Sequence, residues 1–205
     1  FLLGIIQGLT EFIPVSSTAH LLITQRLLNI PADDAMFSFL VIVQVGTLVS
    51  LFAFYWKDLL TIVSSTFQVS RSMLTKPRKT LNLKPETLLG WYIIIATVPA
   101  LVAGYLLKDT VEELFKQPML QASIRLFSAA ILLTLAELLT KKNRNLDSMT
   151  WLDALIVGLF QIIAVFPGAS RSGTTISGGM FRSFDRPSAA RFAFLMSVPV
   201  MLAAG

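Results

Sequence analysis

One carboxylate, one imidazole, one guanidinium and a set of amides and hydroxyls are concentrated in two otherwise apolar stretches. Residues 4–20 read GIIQGLTEFIPVSSTAH and residues 158–174 read GLFQIIAVFPGASRSGT. In the first, Gln7 and Glu11 stand four apart and share one face of a helix. A carboxylate and an amide oxygen on one face suit a hard divalent cation that keeps several waters. Ser16, Ser17 and Thr18 follow. His20 is the one histidine of the chain and lies three residues past Ser17, close enough on a helix or tight turn to take its proton. In the second stretch a Pro167-Gly168 turn leads into Ser170, Arg171, Ser172, Thr174 and Thr175. The arginine fork matches phosphate oxygens bidentately. A helix starting after the turn would add free N–H groups. The ensemble reads as a phosphate cradle facing a metal-binding carboxylate.

Each residue also has a plainer reading. Gln and Ser in membrane helices are commonly interhelical glue, which covers Ser16, Ser172 and Thr174 individually. A lone His is more often structural than catalytic, and Gly and Pro can simply break helices. Against this, an ionisable side chain at membrane depth costs about 2.5–3.5 kcal/mol on insertion scales. Glu11, His20 and Arg171 all fall within the two repeated tips. Glu137 and Arg125, twelve apart, do not share a face and are read as structural pairing with other helices.

The elements that must hold these groups belong to a membrane. Hydrophobic residues make up 54% of the chain and charged residues 14%, against about 25% charged in a soluble domain. Mean hydropathy is +0.70. Residues 36–56 and 88–107 carry no charge, and each is about the 20 residues needed to cross the hydrocarbon core. Residues 119–140 form a third span, and 192–205 begin a fourth that the sequence does not complete. The chain is therefore expected to be a fragment of a longer protein. There is no Cys, which excludes thiolate chemistry and disulfides. In a chain this apolar, the net charge of +5 points to basic loops near anionic lipid and the cytoplasm rather than to nucleic acid.

Those loops predict a topology. Lys and Arg concentrate in 57–87, 141–153 and 182–191, whereas 21–35 and 108–118 are poor in them or balance them with acids. The basic loops are placed in the cytoplasm. Segment 153–181 then begins and ends on the cytoplasmic side, and segment 1–28 on the outer side. Both read as re-entrant hairpins. Similar spans follow, FSFLVIV at 37–43 and FAFLMSV at 192–198, running in opposite directions. The expected fold is an all-α integral membrane protein, a polytopic helix bundle with two re-entrant helical hairpins related as an inverted-topology repeat. It forms a single membrane domain over 1–205. The first repeat is 1–52, a cytoplasmic interfacial stretch covers 57–87, two transmembrane helices occupy 88–140, and the second repeat is 153–205. Non-helical backbone at membrane depth must be surrounded by protein or a wet cavity, so the two tips should meet inside the bundle. One gap near the prolines aligns them, pairing Pro14 with Pro167, Ser17 with Ser170 and Thr18 with Arg171.

QGLTEFIPVSSTAHL resembles the first signature of the undecaprenyl-diphosphate phosphatase family, also called the bacitracin-resistance family: Glu or Gln, three residues, Glu, then Pro-x-Ser-Ser-x-x-His. PGASRSGTT resembles its second signature, Pro-Gly-x-Ser-Arg-Ser-x-x-Thr. The similarity extends over essentially the whole chain. It implies an integral membrane hydrolase that removes the terminal phosphate of undecaprenyl diphosphate. That reaction regenerates the lipid carrier for cell-wall synthesis and confers bacitracin resistance. It also implies a divalent cation, Mg or Ca. Carried over by position, Glu11 and Gln7 fill the acidic signature and become metal ligands. Ser17 and His20 fill the serine–histidine part, and Ser170, Arg171 and Thr175 the phosphate-binding part, with Ser16, Gly168 and Ser172 beside the substrate. Gln7 departs from the Glu of many members and carries one less negative charge.

The expected mechanism has Arg171 and Ser170 hold the terminal phosphate while Ser17 attacks, assisted by His20. Attack by an activated water is the competing version. The rival classes are an inverted-repeat transporter or flippase of polyprenyl phosphate, and a structural or immunity protein without turnover. The phosphatidic-acid-phosphatase type needs two histidines. The expected partners are a polyprenyl diphosphate lipid and membrane lipids, with no nucleic acid. The expected location is the bacterial plasma membrane, with the site reached from the outer face. The oligomeric state is left open, a homodimer among the options.

Overall fold

The computed structural model describes residues 1–31, 34–75, 85–107, 118–165 and 170–204. The expected turn Pro167-Gly168 lies outside them, and so does the side chain of Arg125. The described regular structure is helical, apart from one bridge pairing Arg144 with Phe184. The helices are α1 (Leu2–Phe12), α2 (Ser17–Leu27), α3 (Asp34–Thr75), α4 (Pro85–Leu106), α5 (Pro118–Leu139), α6 (Trp151–Ile163), α7 (Arg171–Phe181) and α8 (Arg186–Ala204).

Their boundaries follow local chemistry. Pro85 and Pro118 open α4 and α5, where a missing N–H costs nothing. Thr150 and Asp153 form a reciprocal capping box at the start of α6. Asp185 accepts from the Ser188 N–H at 2.8 Å ahead of α8. Stretches within α3, α4 and α5 (38–72, 87–106 and 122–139) are long and apolar enough to cross a membrane, so the chain is a helical membrane protein. α4 and α5 coincide with two expected spans. α3 extends beyond the expected span 36–56, its 42 residues running on as helix through 57–75. Neither Gly nor Pro interrupts Trp56–Thr75, and Asp58, the first acid beyond the span, is paired with Arg191 of α8 at 3.0 Å.

The largest apolar core joins α4, α6, α7 and α8 around Ala96, Ala154, Val157, Leu195 and Met196. α4 and α6 pack backbone to backbone. A Cβ on Gly158 would lie 2.5 Å from the Ala96 carbonyl oxygen, so only glycine permits this approach. A smaller cluster of Leu3, Leu21 and Met36 ties α1 and α2 to α3. Leu51, Val198 and Met201 tie α3 to α8.

Two basic loops meet on one acid. Asp153 is fully buried and accepts from Arg144 Nη2 at 2.7 Å and Arg182 Nε at 2.6 Å. Arg144 also donates to the Arg182 carbonyl at 3.0 Å. Glu137 pairs with Lys142 at 2.7 Å and with Arg186, the structural pairing expected of it.

Candidate active site

Two short helix pairs, α1–α2 and α6–α7, build the site. α2 and α7 are each 11 residues long and each stands behind a serine cap. Ser16 Oγ accepts from the Ala19 N–H at 3.4 Å, and Ser170 Oγ from the Gly173 N–H at 3.2 Å. The two caps are 154 positions apart, the same separation as Gln7 and Gln161. At this spacing the caps pair one residue off the proline-based alignment. Ser16 corresponds to Ser170, and Ser17 to Arg171. The serine cap fixes where a helix starts. Ser16 has φ 62° and Ser170 has φ −72°. A left-handed serine is a strained backbone of the kind found at functional sites, and this turn brings Ser17 back onto α1.

Glu11 is the hub. Its side chain is 9% exposed. Oε2 accepts from Gln7 Nε2 at 3.0 Å and from Ser17 Oγ at 2.5 Å. Oε1 is bound by Arg171 Nη2. The ion pair spans the two helix pairs and joins residues 160 positions apart. The cavity over it measures about 210 Å³. Ser16, Ser17 and Thr18 line one side, and Ser170, Arg171 and Ser172 another, with Gln7 and Glu11 between. Arg171 and Ser172 open α7, so their N–H groups have no partner within the helix.

Across this site the whole chain, residues 1–205, matches the family described as bacitracin resistance protein BacA. The chain belongs to the BacA family. An undecaprenyl-diphosphatase of Chlorobium phaeovibrioides is 42% identical over 212 residues, covering 100% of this chain and 72% of that protein. One from Anaeromyxobacter dehalogenans is 42% identical over 206 residues, covering 100% and 67%. One from Syntrophobacter fumaroxidans is 37% identical over 210 residues, covering 100% and 73%.

Several residues of this BacA-family chain differ in detail from their expected places. His20 is not on Ser17. Its Nδ1 donates to the Ser16 carbonyl at 2.9 Å, while the Ser17 hydroxyl turns to Glu11. A carbonyl can only accept, so this bond places a proton on Nδ1. Sequence spacing brings His20 near Ser17 but does not say which of two acceptors the hydroxyl meets. Thr175 borders a much smaller adjoining cavity with Glu11, Arg171 and Ser172. Its hydroxyl donates to the Arg171 carbonyl at 2.8 Å, so it shapes the start of α7. Thr174 is fully buried and bonds the carbonyls of Ser170 and Arg171, both at 3.0 Å.

One polar lining residue was not among the sequence candidates. Gln44 of α3 faces the cavity beside Leu40. Its signal was an amide inside a long apolar span, a pattern that reads equally well as glue.

A divalent cation finds a partial donor set. Gln7 Oε1 is a buried acceptor with no donor among the described residues, next to the Glu11 carboxylate. These are the oxygen ligands a hard cation takes. Among the described residues no three His, Cys, Asp or Glu side chains converge.

Proposed function

We propose that this chain hydrolyses undecaprenyl diphosphate to undecaprenyl phosphate and inorganic phosphate, recycling the lipid carrier of envelope synthesis. One observation carries the reading. A serine hydroxyl, the carboxylate that accepts from it and an arginine guanidinium converge from two separate helix pairs on one cavity. The names of the curated relatives point the same way.

In the reaction, Arg171 exchanges Glu11 for the terminal phosphate. The Ser170 and Ser172 hydroxyls and the N–H groups opening α7 add donors. Ser17 Oγ attacks phosphorus while its proton passes to Glu11 Oε2, 2.5 Å away. The bond from phosphorus to the bridging oxygen breaks, and polyprenyl phosphate leaves with that electron pair. Water then attacks the phosphoserine, releasing inorganic phosphate and restoring Ser17. A Mg or Ca ion held by Glu11 and Gln7 Oε1 would neutralise charge on the diphosphate oxygens.

The membrane arrangement belongs to the same proposal. At 11 residues, α1, α2 and α7 are each about 16 Å long, half the hydrocarbon thickness. This supports two re-entrant hairpins in inverted orientation within the bacterial plasma membrane, with the site open to the outer face. The meeting of 141–153 with 182–191 on Asp153 supports a shared cytoplasmic side for those loops.

The test is phosphate release from undecaprenyl diphosphate by the purified protein in detergent. Release should stop with chelator and return with Mg or Ca. Absence of release with both cations present overturns the reading. Release that ignores the chelator removes the cation and leaves the phosphatase.

A further inference from the structure

The walls of the cavity are chemically unequal. α7 supplies Arg171 with hydroxyls on either side of it. On another side, Leu21 of α2 and Leu40 of α3 line the cavity and share an apolar cluster. Gln44 lies four residues past Leu40, one turn along the same face of α3. It is the polar group that α3 brings to the cavity. Its backbone carbonyl accepts from Thr47 Oγ1 at 2.7 Å, but its carboxamide has no hydrogen-bond partner among the described residues. It stands in a stretch with mean hydropathy 2.0, and its side chain is exposed, so its amide can meet a guest in the cavity.

A diphosphate ester has two ends that match these walls. Its terminal phosphate needs the guanidinium. Its ester-linked phosphate, the one carrying the prenyl chain, must lie toward apolar surface. With the terminal phosphate on Arg171, the prenyl-bearing end is matched by the leucines that line the same cavity. We infer that Gln44 recognises this second phosphate, donating from its NH₂ group to a non-bridging oxygen. The inference rests on the phosphatase reading and extends it to the product, because the second phosphate is the one the prenyl alcohol keeps. A neutral amide suits that role, since it gives one bond to a leaving product where a cation would hold the product back.

The experiment compares inhibition by two products. Wild type and the variants Gln44→Leu, Gln44→Asn and Gln44→Glu are assayed on undecaprenyl diphosphate, with farnesyl monophosphate and inorganic phosphate as competing inhibitors. Losing one hydrogen bond to a charged oxygen should raise KM and the farnesyl monophosphate Ki about tenfold in Gln44→Leu. The Ki of inorganic phosphate should move far less. Gln44→Asn should fall between wild type and Gln44→Leu, and Gln44→Glu should be the weakest binder through charge repulsion. A farnesyl monophosphate Ki that stays at the wild-type value in all three variants overturns the inference, as does an equal rise for inorganic phosphate. If the wild type itself releases no phosphate, the phosphatase reading has failed instead. A variant that does not fold is recognised by the loss of its thermal unfolding transition in detergent, and the remaining two then decide.

Discussion

Ser17 and Arg171 hold the same position in two matching helices and grip the same carboxylate. Each is the first residue of an 11-residue helix behind a serine cap. Ser17 bonds Oε2 of Glu11, and Arg171 bonds Oε1. Two helix starts thus meet at one carboxylate, one presenting a hydroxyl and the other a guanidinium.

Arg171→Lys is expected to lower phosphate release by about 10²–10³-fold, because a point charge lacks the fork that binds two phosphate oxygens at once. The variant keeps a cation for Glu11, so its thermal unfolding in detergent should stay near wild type. Release within tenfold of wild type would contradict the assignment.

Glu11→Gln removes the acceptor for the Ser17 proton while keeping the side-chain shape. General-base loss of this kind costs about 10²–10⁴ in rate. Acid-quenched wild type turning over terminally labelled substrate should carry label on Ser17. Turnover without any label on Ser17 would favour direct attack by water.

Asp153→Ala should destabilise the protein without touching the cavity. It leaves Arg144 and Arg182 facing each other across a buried void. Breaking a buried pair costs about 3–5 kcal/mol. Both arginines are about a third exposed (27% and 34%), so the low end of that range applies. Denaturant or heat unfolding in detergent measures it, and an unfolding midpoint equal to wild type would refute it.

Gln161→Met should raise stability. Gln161 is 2% exposed, and neither its Oε1 nor its Nε2 finds a partner among the described residues. Its counterpart Gln7 bonds Glu11, but the matching position near Gln161 is Val165. Replacing an unpaired buried amide with an apolar chain of similar length removes a penalty of about 1–3 kcal/mol. A lower unfolding temperature would show that Gln161 has a polar partner after all.

Much of the site could be read from the chain. Gln7 and Glu11 are one turn apart, and Ser17 and Arg171 stand in turn motifs set into apolar surroundings. That pattern is costly unless it serves chemistry. The meeting of the two tips followed from the rule that irregular backbone needs cover. What escaped was decided by three-dimensional choices. Ser17 had a carboxylate and an imidazole within reach, and the left-handed turn at Ser16 chose the carboxylate. The prolines drew the alignment one residue off because they mark turns, while the helices start at their caps. Gln44 was hidden by the apolar run around it. Asp153 was one acid among basic loops, and sequence spacing could not show that Arg144 and Arg182 both converge on it.

The grip on Glu11 has one more consequence. With Arg171 on one oxygen, the pocket's carboxylate and guanidinium form an internal salt, electroneutral without help from the bilayer. A lone anion gains Arg171 only by stranding Glu11, and a lone cation gains Glu11 only by stranding Arg171. A guest that arrives as an ion pair can part the two at no net cost. The pocket therefore screens guests by charge stoichiometry before it screens them by shape.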